Sequence, residues 1–140
     1  MPCIEACLDC RLPQAHLDLR YLLKSLGYTG GLKGCERALG MTRPGLEDVD
    51  GYFAVLLWAE YQQTGKEAAL ETLLAYNVED VLTLERLAVL AYNCKLERTP
   101  FAGSRQLPQP KTAANPFRAD QRLIGNIRGR LGDAHFTGKL

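Results

Sequence analysis

From Lys66 to Tyr92 the chain contains neither glycine nor proline, and apolar residues recur at 70, 73, 74, 78, 81, 82, 84, 87, 88 and 91. That recurrence follows the 3.6-residue period of an α-helix, not the two-residue period of a strand. The spacing predicts one nearly continuous helix over 66–92, with room for a bend near Tyr76–Asn77.

The rest of the pattern up to this helix is mostly helical as well. Leu19, Leu22, Leu23 and Leu26 have helical spacing, and Gly27 is a stop signal. Thr29-Gly30-Gly31 reads as a turn, followed by a short helix over Leu32–Leu39 that ends at Gly40. Residues 41–49, with Arg43-Pro44-Gly45, read as a loop. Asp50 is an N-cap signal for a helix running to about Gln63, broken by Thr64-Gly65. Its Phe53, Val55, Leu56, Leu57 and Trp58 span a wide apolar face, which predicts a well-buried helix. Ala15–Leu19 is a candidate short strand. The fold class expected is therefore mostly α, with at most one or two short strands.

Charge divides the chain. Residues 1–94 carry eight Lys/Arg against thirteen Asp/Glu, and residues 95–140 carry nine against three. Pro100, Pro108, Pro110 and Pro116 with intervening Gly and Ser give residues 99–117 the composition of a linker. A short helix is expected around 119–128. The basic end offers Arg118, Arg122, Arg128 and Arg130 as phosphate contacts, which carry affinity without sequence specificity. Phe117 and Phe136 offer stacking on single strands. The alternative is a solvated tail that binds nothing. No apolar run approaches the ~20 residues that span a bilayer, and the first residues lack a basic segment followed by an apolar one. The expectation is a cytoplasmic protein with no membrane partner.

Five cysteines without a secretion signal argue against a disulfide framework. Cys35 and Cys94 fall on helical patterns as small core residues. Cys3, Cys7 and Cys10 are spaced like the iron–sulfur triplet of radical S-adenosylmethionine enzymes, which sits in a barrel much larger than this chain. A zinc site with His16 is a second reading, and a reduced, irregular N-terminus is the one preferred.

Tyr76 and Asp80 are one turn apart on the long helix and share a face. A carboxylate that can hold a divalent cation beside a phenol that can orient water suits metal-assisted hydrolysis. By itself the pair reads rather as a half-buried core tyrosine next to a solvated aspartate.

Four stretches place the pair in a wider likeness. They are His16-Leu17-Asp18-Leu19-Arg20, Gly30 to Gly40 (GGLKGCERALG), Asp50 to Trp58 (DGYFAVLLW) and Leu73 to Val81 (LLAYNVEDV). In this order and spacing the chain from His16 to Ala88 resembles the YprB-type RNase H-like domain, of the DEDDy exonuclease superfamily. The resemblance implies the C-terminal helical part of an α/β fold. It also implies Mg2+ or Mn2+ as cofactor and hydrolysis of DNA or RNA in the 3'-5' exonuclease manner. Asp80 matches the fourth metal-binding carboxylate and Tyr76 the residue that positions the water. The family's Asp-x-Glu pair and third carboxylate have no counterpart, since Glu5 and Asp9 have the wrong spacing. The organisation expected is a cysteine-rich segment over 1–15, a partial RNase H-like domain over 16–94, and a linker with a basic tail over 95–140. Such a chain is expected to be inactive alone, and to form a homo-oligomer or take a partner chain that completes the fold. The alternative is a non-catalytic helical module that binds nucleic acid or a partner protein.

Overall fold

A computed structural model describes residues 15–111 and 113–136, together with Ala6, Cys7, Asp9, Arg11 and Pro13. Its elements are α1 (Leu19–Ser25), α2 (Gly31–Ala38), α3 (Gly51–Thr64), α4 (Glu67–Leu96) and α5 (Gln121–Phe136). Among the described residues there is no strand, so the fold is mostly α. Residues 15–18 do not extend into a strand, because the Asp18 carboxylate accepts from the Arg20 amide at 2.9 Å and caps α1. A side chain that satisfies the first turn's orphan donors commits the segment to helix.

Glycines and caps set the other boundaries. Leu26 closes α1, and Gly27 follows it with φ 93°. In α2 a Cβ on Gly34 would lie 2.5 Å from the Thr29 carbonyl oxygen, so only glycine allows that close approach. The Asp50 carboxylate accepts from the Phe53 amide at 2.8 Å and starts α3. Gly65, left-handed at φ 66°, ends it.

The long helix α4 is unbroken through Tyr76 and Asn77 and extends for about 45 Å at 1.5 Å per residue. It is the spine of two hydrophobic clusters. Its N-terminal half supplies Ala69, Ala75 and Tyr76 to a cluster with Leu46, Val49, Phe53 and Leu57 and with Leu123, Ile124 and Ile127 of α5. Its C-terminal half packs Leu87 and Ala91 against Leu23 of α1 and Cys35 of α2. The buried stripe of α4 is rich in small or β-branched side chains, including Ala69, Thr72, Ala75, Thr83 and Ala91. Small side chains let the neighbouring segments approach closely. The larger Val81 and Leu84 are left exposed.

α3 is buried on one side only. Phe53 and Leu57 are inside, whereas Tyr52, Val55 and Trp58 face solvent at 64%, 62% and 45% exposure. The wide apolar face read as well buried thus belongs half to the core and half to the surface.

Residues 97–111 and 113–120, which include the stretch of linker-like composition, run back along α4. Asn93 holds Leu107 through two hydrogen bonds, donating to its carbonyl and accepting from its amide. Asn115 donates to the Ala75 carbonyl and to Glu79. The Arg118 amide donates to Glu71, and the Asp120 amide donates to the Thr72 hydroxyl. This strap delivers α5 to the first cluster, and the Asp120 carboxylate accepts from the amides of Arg122 and Leu123 to start the helix. Ile127→Ala should therefore cost about 2–5 kcal/mol in a urea unfolding curve, the range for emptying a buried isoleucine site. A tail independent of the core would show no change.

Candidate functional site

The centre of the molecule is polar, not apolar. Gly40, left-handed at φ 66°, turns the chain out of α2, and the Met41 amide donates back to the Glu36 carbonyl at 2.9 Å. This brings Arg43 over the middle of α4. Its Nε donates to both carboxylate oxygens of Glu36 at 2.9 Å, and its Nη2 to Oε1 at 2.5 Å. Nη1 forms an ion pair with Asp80 Oδ1 at 2.5 Å. The guanidinium carbon lies 5.5 Å from the Tyr76 ring centroid, within cation–π range. The side chains of Glu36 and Arg43 are each 5% exposed, that of Asp80 31%. One guanidinium therefore joins two carboxylates and a phenol ring.

The surroundings move three protonation equilibria. Burial works against the charged form of Arg43, yet its bonds to Glu36 and Asp80 outweigh that and hold the guanidinium above its usual range. Burial, reinforced by the negative charge of Asp80, raises the Tyr76 phenol above its usual 10.0. Burial and the nearby Arg43 charge lower Lys33, whose ammonium donates to the Glu47 carbonyl at 3.2 Å. Lys33 and the start of α2 thus face this loop.

The residues picked out from the sequence divide into groups. Tyr76 and Asp80 come together with Arg43, on one face of α4. Arg118 and Arg122 have exposed side chains. Arg128 donates to the Asp48 carbonyl at 2.8 Å and pairs with its carboxylate. Arg130 and Lys66 flank Glu60, at 2.6 and 3.0 Å, and lower its carboxyl below the usual 4.5 through hydrogen bonds, Arg130's being the larger. Phe117 packs against the first cluster. Cys35 is buried and Cys94 half-buried, and both are free thiols. Cys7 is exposed, while Cys3 and Cys10, and with them the cluster and zinc readings, lie outside the described residues.

Glu36 and Arg43 were not singled out by the sequence pattern. A signal for Glu36 was present: Leu32, Cys35, Glu36 and Leu39 stand at i, i+3, i+4 and i+7, so the carboxylate lies on the apolar stripe of α2 and needs a cation.

A model of the RNase H superfamily, RNase_H_2, matches residues 1–92, well over half of the chain. The chain belongs to the RNase H superfamily. No curated protein and no solved structure matches it. Membership supports a nuclease-like domain in general terms, and RNase H-like proteins typically use divalent metals. Among the described residues no helix is long and apolar enough to cross a membrane.

The donors present do not suit the metals that membership implies. Among the described residues no three His, Cys, Asp or Glu side chains gather as a metal group. Both oxygens of Glu36 and one of Asp80 are already engaged by Arg43. A hard cation wants about six oxygen ligands, and this RNase H-like centre offers the second oxygen of one carboxylate.

The raised phenol gives the site a pH signature. Tyr76 keeps its proton longer in the fold than in the unfolded chain. Its contribution to stability is therefore complete below pH 10 and is lost as pH rises through the folded value. Urea midpoints measured across this alkaline range should fall less steeply for Tyr76→Phe than for the wild type.

Proposed function

We propose that this chain is the Asp80-bearing helical part of a YprB-type, DEDDy-class nuclease domain that acts on nucleic acid. The observation that carries the reading is the placement of Tyr76 and Asp80, one turn apart on α4, inside the matched residues 1–92. In this reading Asp80 is one of four metal-binding carboxylates, for Mg2+ or Mn2+, and Tyr76 positions the attacking water. The other three carboxylates come from a second copy or a partner that completes the fold. Faces are present for such a neighbour to cover. One is the Tyr52, Val55 and Trp58 side of α3. The other is a groove of about 1000 Å³ beside Leu17, Tyr28, Leu32 and Leu84, between α1, α2 and α4. The chain alone is catalytically silent.

A second reading, a non-catalytic module that binds nucleic acid, is favoured by the Arg43–Asp80 ion pair, which engages the carboxylate that catalysis would need. The two share the nucleic-acid partner and differ in chemistry.

Labelled single-stranded DNA and RNA, incubated with Mg2+ or Mn2+, should be cut no faster by the wild type than by Asp80→Asn. Metal-dependent cleavage abolished by Asp80→Asn would instead show a site completed by association. Binding of the same strands at low salt should be measurable, and Arg118→Ala and Arg122→Ala should each flatten the salt dependence by about 0.7 in log–log slope, one phosphate contact apiece. Absence of binding at low salt would remove nucleic acid as the partner.

A further inference from the structure

The misfit between the centre and the metals that superfamily membership implies is itself informative. We propose that Arg43 is the resident cation of this site: it neutralises Glu36 and Asp80 together, so the folded chain by itself neither needs nor admits a divalent ion beside Asp80, and the metal site of the nuclease reading forms only where a completing chain displaces Arg43. The proposal concerns the same site as the nuclease reading, but stands on the geometry of Arg43 alone.

Three observations carry it. The first is stoichiometry. Arg43 spends Nε and Nη2 on Glu36 and Nη1 on Asp80, so the two carboxylates share one positive charge as they would share a bridging ion. The second is burial. With Glu36 and Arg43 both 5% exposed, water cannot screen the pair, and removing the cation would leave carboxylates uncompensated. The third is anchorage. The loop that carries Arg43 is held from α5, where Gln121 donates to the Gly45 carbonyl at 2.7 Å and Arg128 to the Asp48 carbonyl. Leu46 and Val49 of the same loop are buried with Leu123, Ile124 and Ile127. Other charges in the neighbourhood are Lys33 on α2 and Asp50 before α3, and both act on the same group of residues. A guanidinium cannot be titrated away under conditions in which the protein is folded. Asp80 is therefore released only by moving Arg43.

Mn2+ and Mg2+ are the probes, read by thermal melting and, for Mn2+, by the paramagnetic resonance signal of the free ion. The wild type should bind no more Mn2+ than Asp80→Asn, and millimolar Mg2+ or Mn2+ should leave its melting temperature within about 1 °C of the metal-free value. Arg43→Met should melt roughly 10–20 °C lower without metal, the cost of leaving the buried Glu36 and the half-buried Asp80 without their partner. Mn2+ should restore a substantial part of that loss, and adding Asp80→Asn should abolish the recovery. Arg43→Lys, which keeps a charge and is the variant to use if Arg43→Met does not fold, should melt between the two and remain indifferent to Mn2+. Mn2+ bound by the wild type and lost in Asp80→Asn would overturn the proposal. So would a folded Arg43→Met that ignores Mn2+, or an Arg43→Lys that binds it. None of these readouts involves cleavage or nucleic acid, so failure here is distinct from failure of the nuclease reading.

Discussion

A single guanidinium sits where the two halves of this molecule meet. Above it along α4 lies the cluster built on Phe53, Leu57 and Tyr76; below it lies the cluster built on Leu23, Cys35 and Leu87. Arg43 touches both sides, since Glu36 belongs to α2 in the second cluster and Tyr76 to the first. Apolar surface could have joined the clusters with less directional demand. A bidentate bond to Glu36 and a contact on Asp80 instead specify the rotation of α2 relative to α4 and the path of the loop after Gly40. Removing either partner of such a pair is costly, although the intact pair adds little net stability over well-packed hydrophobic residues. Its effect here is to define one arrangement of the helices.

That arrangement also explains the neighbourhood of Asp80. The carboxylate is in reach of water yet electrostatically occupied, because the cation nearest to it is part of the chain. The phenol beside it feels both charges, the carboxylate raising it and the guanidinium opposing, with burial the larger influence. The centre of this RNase H-like chain is thus organised around a fixed positive charge, and the loop that bears it is fastened by the last helix.

Much of the helical framework was legible from local chemistry. Gly27, Gly40 and Gly65 ended helices, and Asp50 began one, because a left-handed residue or a side-chain oxygen acts within a few residues of the boundary it sets. Tyr76 and Asp80 were legible for the same reason: a helix fixes i, i+4 neighbours without help from the rest of the fold. What was not legible depends on distance along the chain. Ala15–Leu19 alternates like a strand, but Asp18 caps α1 instead. The strap includes the linker composition read over 99–117, and only its hydrogen bonds to side chains and carbonyls of α4 reveal its path. Of the apolar positions read on α4, Val81 and Leu84 are exposed, whereas Ala69 and Thr72, which were not among them, are fully buried, because close approach of neighbouring backbones rewards small side chains. Glu36 and Arg43 fell between these cases: the apolar stripe of α2 announced an anomalous carboxylate, but not which cation answered it.

The strap has a consequence for how the chain acquires its structure. α5 meets partners far back in the sequence, Gln121 with Gly45 and Arg128 with Asp48, at separations of 76 and 80 residues. The second cluster uses nothing beyond Ala91 among its buried members, so it can consolidate while the chain is still emerging from the ribosome. The first cannot until Leu123, Ile124 and Ile127 have been made. During synthesis the Phe53 and Leu57 face stays open until α5 returns to cover it, and contacts this distant close slowly. The interval before α5 arrives is when the nascent chain is most exposed to association with its neighbours.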